Sequence, residues 1–110
     1  MAVLELIMTE FGGRAIPYVD VKDVSTTPIQ IVKRNPNRAG LLIQNIGSYN
    51  VYIGLKPDVS PTNGLLLMSN GGSLSVYWKE DGYLVTEEYW AVAPASTRLY
   101  IQELIIVSEK

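Results

Sequence analysis

Residues 38–54, read as Arg-Ala-Gly-Leu-Leu-Ile-Gln-Asn-Ile-Gly-Ser-Tyr-Asn-Val-Tyr-Ile-Gly, indicate the fold class of this chain. Two apolar runs, residues 41–46 and 51–53, lie on either side of a four-residue connection that begins at Gly47. Each run is too short for a helix and is rich in the branched and aromatic residues that suit a pleated sheet. Because short connections with glycine are common hairpin loops, we expect the two runs to pair antiparallel.

The first of these runs carries apolar residues on both faces. Alternation along a strand places Leu41 and Ile43 on one face, and Leu42 and Ile46 on the other. This pattern predicts that the two runs form a central hairpin of a β-sandwich.

Short extended runs separated by turns make up the rest of the chain. Pro17 lies within one of them and predicts an edge strand or an arm, because proline cannot donate to a sheet ladder. Residues 55–64 are rich in Pro, Asn and Asp and predict a loop, and Asn70-Gly71-Gly72 predicts a tight turn with positive φ. Further strands are predicted at residues 2–8, 15–22, 29–33, 65–68, 73–78, 83–85, 89–93 and 98–107.

The last run changes the phase of its apolar residues. Leu99 and Ile101 share one parity, and Leu104 and Ile106 share the other. We expect a β-bulge or a switch between sheets near residues 102–103. The fold prediction is an all-β domain, an antiparallel β-sandwich or jelly roll of about eight strands with no substantial helix. Residues 1–110 are predicted to form one domain, with residues 1–24 as an N-terminal arm or edge strands.

Composition argues against several classes of function. The 110 residues include no cysteine and no histidine, so disulfides, thiolate zinc sites and histidine-based catalytic triads are excluded. The net charge of −2 and the pI near 5.0 argue against nucleic acid as a main partner. No apolar run approaches the length of a membrane span. Glu87 and Glu88 are adjacent and would point to opposite faces of a strand, so they do not predict a catalytic pair.

From Ile31 onward the order of strands and turns resembles a recurrent type of small virion protein of tailed phages, found among capsid decoration and head-fibre proteins. The resemblance covers roughly the last three-quarters of the chain and includes no catalytic motif. It rests on the segments 35–38 (Asn-Pro-Asn-Arg), 41–45 (Leu-Leu-Ile-Gln-Asn), 51–54 (Val-Tyr-Ile-Gly), 63–64 (Asn-Gly), 71–73 (Gly-Gly-Ser), 90–93 (Trp-Ala-Val-Ala) and 98–104.

Four residues are candidates for contact with a partner. Lys33, Arg34 and Arg38 flank the Asn-Pro-Asn turn and form either a contact for an acidic capsid surface or phosphate, or a solvated turn. Tyr49 lies at a predicted loop tip, where an aromatic ring suits an interface. No catalytic, cofactor-binding or metal-ligating residue is predicted, and no cofactor.

The resemblance implies a viral structural protein that is not an enzyme. It would bind the major capsid protein or other virion proteins, stabilise the shell, and lie on the capsid surface after synthesis in the host cytoplasm. A homo-oligomer is expected, and a trimer follows from the threefold positions that decoration proteins commonly occupy. The alternative is a carbohydrate-binding or host-adhesion module of a virion fibre, which would need exposed aromatics along one groove. For Trp78 and Trp90, core packing is the competing interpretation.

Overall fold

The structure, a computed structural model, describes residues 13–108. The strand predicted at residues 2–8 lies outside this range. The eight strands are β1 (Gly13–Val24), β2 (Ile29–Val32), β3 (Arg38–Asn45), β4 (Val51–Gly54), β5 (Leu65–Leu67), β6 (Ser73–Tyr77), β7 (Tyr89–Val92) and β8 (Thr97–Ser108). One helical turn, α1 (Trp78–Asp81), and a 3-10 turn, Gly82–Thr86, connect β6 to β7.

The strands form two four-stranded antiparallel sheets. Sheet A has the order β1-β8-β3-β6, and sheet B has the order β2-β7-β4-β5. This is the strand order of an eight-stranded jelly roll, so the all-β prediction is confirmed. Except between β4 and β5, every connection carries the chain from one sheet to the other.

The core lies between the two sheets. Leu41 and Ile43 of β3 face inward, with 3% and 0% of their surface exposed, and they meet Val51 and Ile53 of β4 in one apolar cluster. Ile46, on the opposite face by the same alternation, is exposed. Leu41 and Ile43 therefore share one face of β3, as the alternation predicts, and that face is the one that meets the core.

The predicted central hairpin is wrong. Residues 41–45 belong to β3 in sheet A and residues 51–53 belong to β4 in sheet B, so the two runs face each other across the core and do not pair. The connection between them turns the chain over the top of the sandwich. β3 pairs instead with β6 and β8, which lie later in the sequence.

Two further expectations need correction. Residues 83–85 lie in the 3-10 turn and not in a strand. The phase change in residues 98–107 involves no switch between sheets, because β8 stays in sheet A throughout. The irregularity lies on β3, where the register skips Ala39 between Arg38, opposite Ile105, and Gly40, opposite Leu104. None of the helical turns within residues 13–108 has the length and apolar character of a membrane span.

Candidate interaction surfaces

The outer face of sheet A carries no charge across its central three rows. Residues directly opposite in antiparallel strands point to the same face, so the register gives each row in full. We call these twelve positions the neutral face: Val21, Tyr100, Gln44 and Ser73; Val19, Gln102, Leu42 and Ser75; Pro17, Leu104, Gly40 and Tyr77. An outer face of an antiparallel sheet ordinarily presents polar and charged side chains to water.

Strand β1 shows most clearly that the neutral face departs from this rule. Val19 and Val21 lie on the outer face and are 59% and 46% exposed. The charged residues Asp20 and Lys22 have the opposite parity and lie on the inner side of this edge strand, where their side chains form an ion pair at 3.7 Å. Inward-pointing charges also discourage edge-to-edge pairing of sheets.

A shallow depression lies in the neutral face. It measures about 260 Å³ and is formed where Gly40 has no side chain between Leu104 and Tyr77. A Cβ atom at Gly40 would stand 3.3 Å from the Cβ of Leu104. Tyr77, which is 41% exposed, borders the depression.

A second apolar surface lies at the end of the sandwich where β3 ends. Ile46, Tyr49 and Met68 are exposed there on two adjacent loops, residues 46–50 and 68–71, which we call the loop tip. Backbone hydrogen bonds join the loops, since the Asn70 amide donates to the Gly47 carbonyl at 3.0 Å. The exposure of Tyr49 at a loop agrees with the prediction.

Asn45 fixes the shape of the loop tip from beneath. Its side chain is fully buried, and its amide nitrogen donates to the carbonyls of Tyr49 at 2.7 Å and Leu67 at 3.1 Å. Its amide oxygen accepts from the backbone N–H of Gly47 at 3.1 Å. One side chain therefore holds both loops to the sandwich.

Arg38, one of the candidates for partner contact, is buried and bonded within the chain. It is 2% exposed, and its Nε donates to Glu103 at 2.8 Å. Its remaining guanidinium nitrogens donate to the carbonyls of Lys33, Val85 and Glu87. Arginine can satisfy this many acceptors because its planar fork carries five donors. The side chain closes the end of the core opposite the loop tip and presents no charge to the surface.

Lys33 and Arg34 are exposed, and of the three basic candidates only these two face solvent. Arg34 pairs with Glu87 at 2.6 Å. A groove of about 420 Å³ lies on this end of the molecule, lined by Pro36, Asn37, Arg38, Ala39, Trp78, Gly82, Val85, Thr86 and Ile106. The basic cluster predicted from the sequence is therefore reduced to two cations, one of them paired within the chain.

The two tryptophans lie on different surfaces. Trp78 packs partly against the core and lines the groove just described. Trp90 lies on the outer face of sheet B, partly buried, and its indole N–H donates to the Glu88 carboxylate at 2.6 Å. The amide of Gln30 donates to the same carboxylate oxygen at 3.2 Å.

No known family model matches the chain, and no curated protein matches it in sequence. Among solved structures, a subunit of the Bacillus endospore appendages, described as disulfide-linked pili, is similar with a TM-score of 0.50 and 8% identity. The alignment covers 86% of this chain and 89% of that one. A dTDP-4-dehydrorhamnose 3,5-epimerase from Bacillus anthracis str. Ames aligns with a TM-score of 0.45 and 13% identity, over 98% of this chain and 63% of the epimerase. At these identities the pilus subunit shows a shared fold alone.

Sequence reasoning missed the neutral face. Its signal is present in residues 17–21, where Pro17, Val19 and Val21 alternate with Tyr18 and Asp20. Alternation alone does not say which side faces the core, and an apolar parity is ordinarily assigned inward. Only the register with β8 shows that the valines face outward.

Proposed function

We propose that this chain is a virion accessory protein that decorates the capsid shell through protein–protein contacts. The loop tip is the surface that contacts the shell. The observation that carries the proposal is its apolar character, since Ile46, Tyr49 and Met68 are 48%, 48% and 63% exposed. Grouped apolar side chains with a polar rim mark interaction sites, and tyrosine and methionine are enriched in them.

The loop tip is also preorganised for binding. The two loops are joined by the Asn70–Gly47 backbone bond, and the backbone N–H of Ser69 donates to the Asn50 side chain at 2.8 Å. Loops held in their bound shape lose little entropy on association. Bound in many copies, such a contact adds interface energy to the shell without any chemical step, so the proposed activity is mechanical and not catalytic.

The likeness to a pilus subunit adds modest support. It indicates that a jelly roll of this size is compatible with assembly in many copies. The described pili are disulfide-linked, whereas this chain has no cysteine, so assembly through its own residues cannot use disulfide bonds.

The carbohydrate-binding alternative receives less support. It would use aromatic rings aligned along one groove, as stacking on sugar rings requires. Trp78 and Trp90 are partly buried and lie on different surfaces, and the indole N–H of Trp90 is bonded to Glu88.

Immunogold labelling of purified virions from the source of this chain tests the proposal. Label distributed over the capsid shell is expected. Label absent from the particles overturns the proposal, and label confined to fibre tips favours the adhesion alternative. Shells stripped of the protein are then incubated with the native chain and with a Tyr49→Ser, Met68→Ser variant. The expected result is a loss of about tenfold or more in shell affinity, in keeping with the energy of aromatic anchors. A Tyr83→Ser variant is the matched control, because Tyr83 is 74% exposed and lies in the 3-10 turn, which contacts Arg38 at the opposite end of β3 from the loop tip.

A further inference from the structure

We propose that the neutral face of sheet A is the contact between two copies of this chain, which pack face to face through a twofold axis. The contact uses a surface different from the loop tip, and it stands whether or not the chain decorates a capsid. It involves the outer faces of β1, β8, β3 and β6.

Charge identifies the partner. Elsewhere along sheet A, ion pairs such as Asp23 with Arg98 at 2.9 Å border the neutral face, but none of its twelve positions is charged. A charged partner surface would lose its hydration against this face and find no counter-charge, which costs several kcal/mol per ion as an order of magnitude. The partner must therefore be neutral over the same footprint. The same face of a second copy meets this condition at every position.

The polar residues of the neutral face suit such a contact. Gln44, Gln102, Ser73 and Ser75 each carry both a donor and an acceptor, so a copy of the same surface can complement them. Charged side chains lack this property, because a lysine has no acceptor and a carboxylate has no donor. Self-complementarity is the requirement of an isologous contact.

The size of the face is adequate for reversible association. Four strands about 4.8 Å apart and three rows about 6.8 Å apart give a footprint of about 20 Å by 20 Å. That is about 400 Å², about half of the 800 Å² that a standard interface takes from each partner, which suits a weak and reversible dimer. The face has a depression at Gly40 and, beside it, the exposed ring of Tyr77. A twofold axis can place the Tyr77 ring of each copy in the depression of the other.

This contact implies a dimer and not the trimer that the phage resemblance implies. In an isologous contact both partners use the same patch, so a dimer has no free neutral face left to bind a third copy. A threefold ring needs two different patches on each copy. The mass of the assembly therefore separates the two arrangements.

Sedimentation equilibrium of the native chain, from about 1 μM to about 1 mM, tests the proposal. The expected result is a reversible rise to twice the monomer mass. Gln102→Glu changes an amide to a carboxylate of nearly the same shape at the centre of the face and should weaken the dimer tenfold or more, because like charges then face each other. Asn37→Asp makes the same change on the exposed turn before β3 and should leave the dimer unchanged.

A mixture distinguishes repulsion from misfolding. Gln102→Glu and Gln102→Lys should each dimerise about tenfold or more weakly than the native chain. An equimolar mixture should form a heterodimer at concentrations where each variant alone remains a monomer. A native chain that stays monomeric over the whole range overturns the proposal and leaves the face to a different protein. A trimer, or a dimer that Gln102→Glu does not weaken, also overturns it.

Discussion

Arg38 and Glu103 lie 65 positions apart in the sequence and meet at 2.8 Å at one end of the core. Glu103 has the inward parity of β8, in line with Leu99 and Ile101, so the row of buried apolar residues ends in a carboxylate. The guanidinium that pairs with it also donates hydrogen bonds to backbone carbonyls in the β2–β3 and β6–β7 connections. One buried cation thus ties four separate segments together.

Removing this cation should be costly. Arg38→Ala leaves Glu103 partly buried without a counter-charge and leaves the backbone carbonyls of Val85 and Glu87 without a donor. We expect a loss of about 3–5 kcal/mol in the free energy of unfolding, measured by urea denaturation. The control is Arg34→Ala, since Arg34 is mostly exposed and its pairing with Glu87 is worth at most about 1 kcal/mol. Equal losses for the two variants would contradict this account.

Asn45 should govern the order of the loop tip. Asn45→Ala removes the donor to the Tyr49 and Leu67 carbonyls, and we expect a loss of about 3 kcal/mol in unfolding free energy. Hydrogen exchange should report faster exchange of the Asn70 amide, which bridges the two loops. Gln44→Ala is the neighbouring control, because the Gln44 amide donates only a long bond of 3.4 Å on the surface. Unchanged exchange at Asn70 in the Asn45 variant would refute the role.

Tyr89 should make the protein sensitive to alkaline pH. Burial raises the pKa of its phenol above the usual value of 10.0, opposed by nearby Arg38 and assisted by Asp81 and Glu87. Its hydroxyl donates to the Leu84 carbonyl at 2.8 Å. Because the folded state holds this proton more tightly than the unfolded state, the contribution to stability is complete below pH 10 and is lost as the pH rises through the folded pKa.

The measurement is unfolding free energy as a function of pH. Tyr89→Phe should cost about 1 kcal/mol at neutral pH and should flatten the decline above about pH 10. Tyr83→Phe is the control, since that side chain is 74% exposed. An alkaline decline that is as steep in Tyr89→Phe as in the native chain would show that another group is responsible.

Gly54 and Val59 should be coupled in stability. Val59 is 4% exposed, and a Cβ atom built on Gly54 would lie 2.8 Å from its Cγ2 atom. Gly54→Ala should therefore cost about 2 kcal/mol by overpacking the anchor of the 55–64 loop. Val59→Gly removes both the Cγ2 atom and the Cβ atom, which would lie 2.9 Å from the new Cβ, so the double variant should lose at least about 0.5 kcal/mol less than the sum of the two single losses. Additive losses from denaturation curves would contradict the contact.

The parts of the fold that depend on neighbouring residues were predictable from the sequence. Asn70 and Gly71 adopt φ values of 58° and 124°, as the Asn-Gly-Gly triplet predicts. The alternation of Leu74 and Val76 places these residues inward in β6, with Trp78 packed partly against the same core. Pro17 lies in β1, at the edge of sheet A.

The parts that depend on distant segments were not predictable. A four-residue connection is equally compatible with a hairpin and with a crossing between sheets. In this jelly roll the partners of β3 are β6 and β8, which come later in the sequence. Arg38 follows a polar turn, which suggests exposure, but its acceptors come from residues 33, 85, 87 and 103. The same distinction holds for the candidate surfaces. The exposure of Tyr49 could be predicted from its local loop, whereas the neutral face could be recognised only from the register of the strands.

The pairing of strands β1 and β8 bears on how fast this chain can fold. β1 and β8 align along their whole length, from Gly13 opposite Ser108 to Val24 opposite Thr97. Closing a ladder between residues so far apart in sequence is slow, because the entropy of closing the long intervening loop is lost before the new contacts compensate for it. A circular permutant that joins these two strands through a short turn, and opens the chain within the exposed loop at residues 55–64, would convert the longest-range contacts into a local hairpin. Such a chain should fold to the same structure at a higher rate than the native chain.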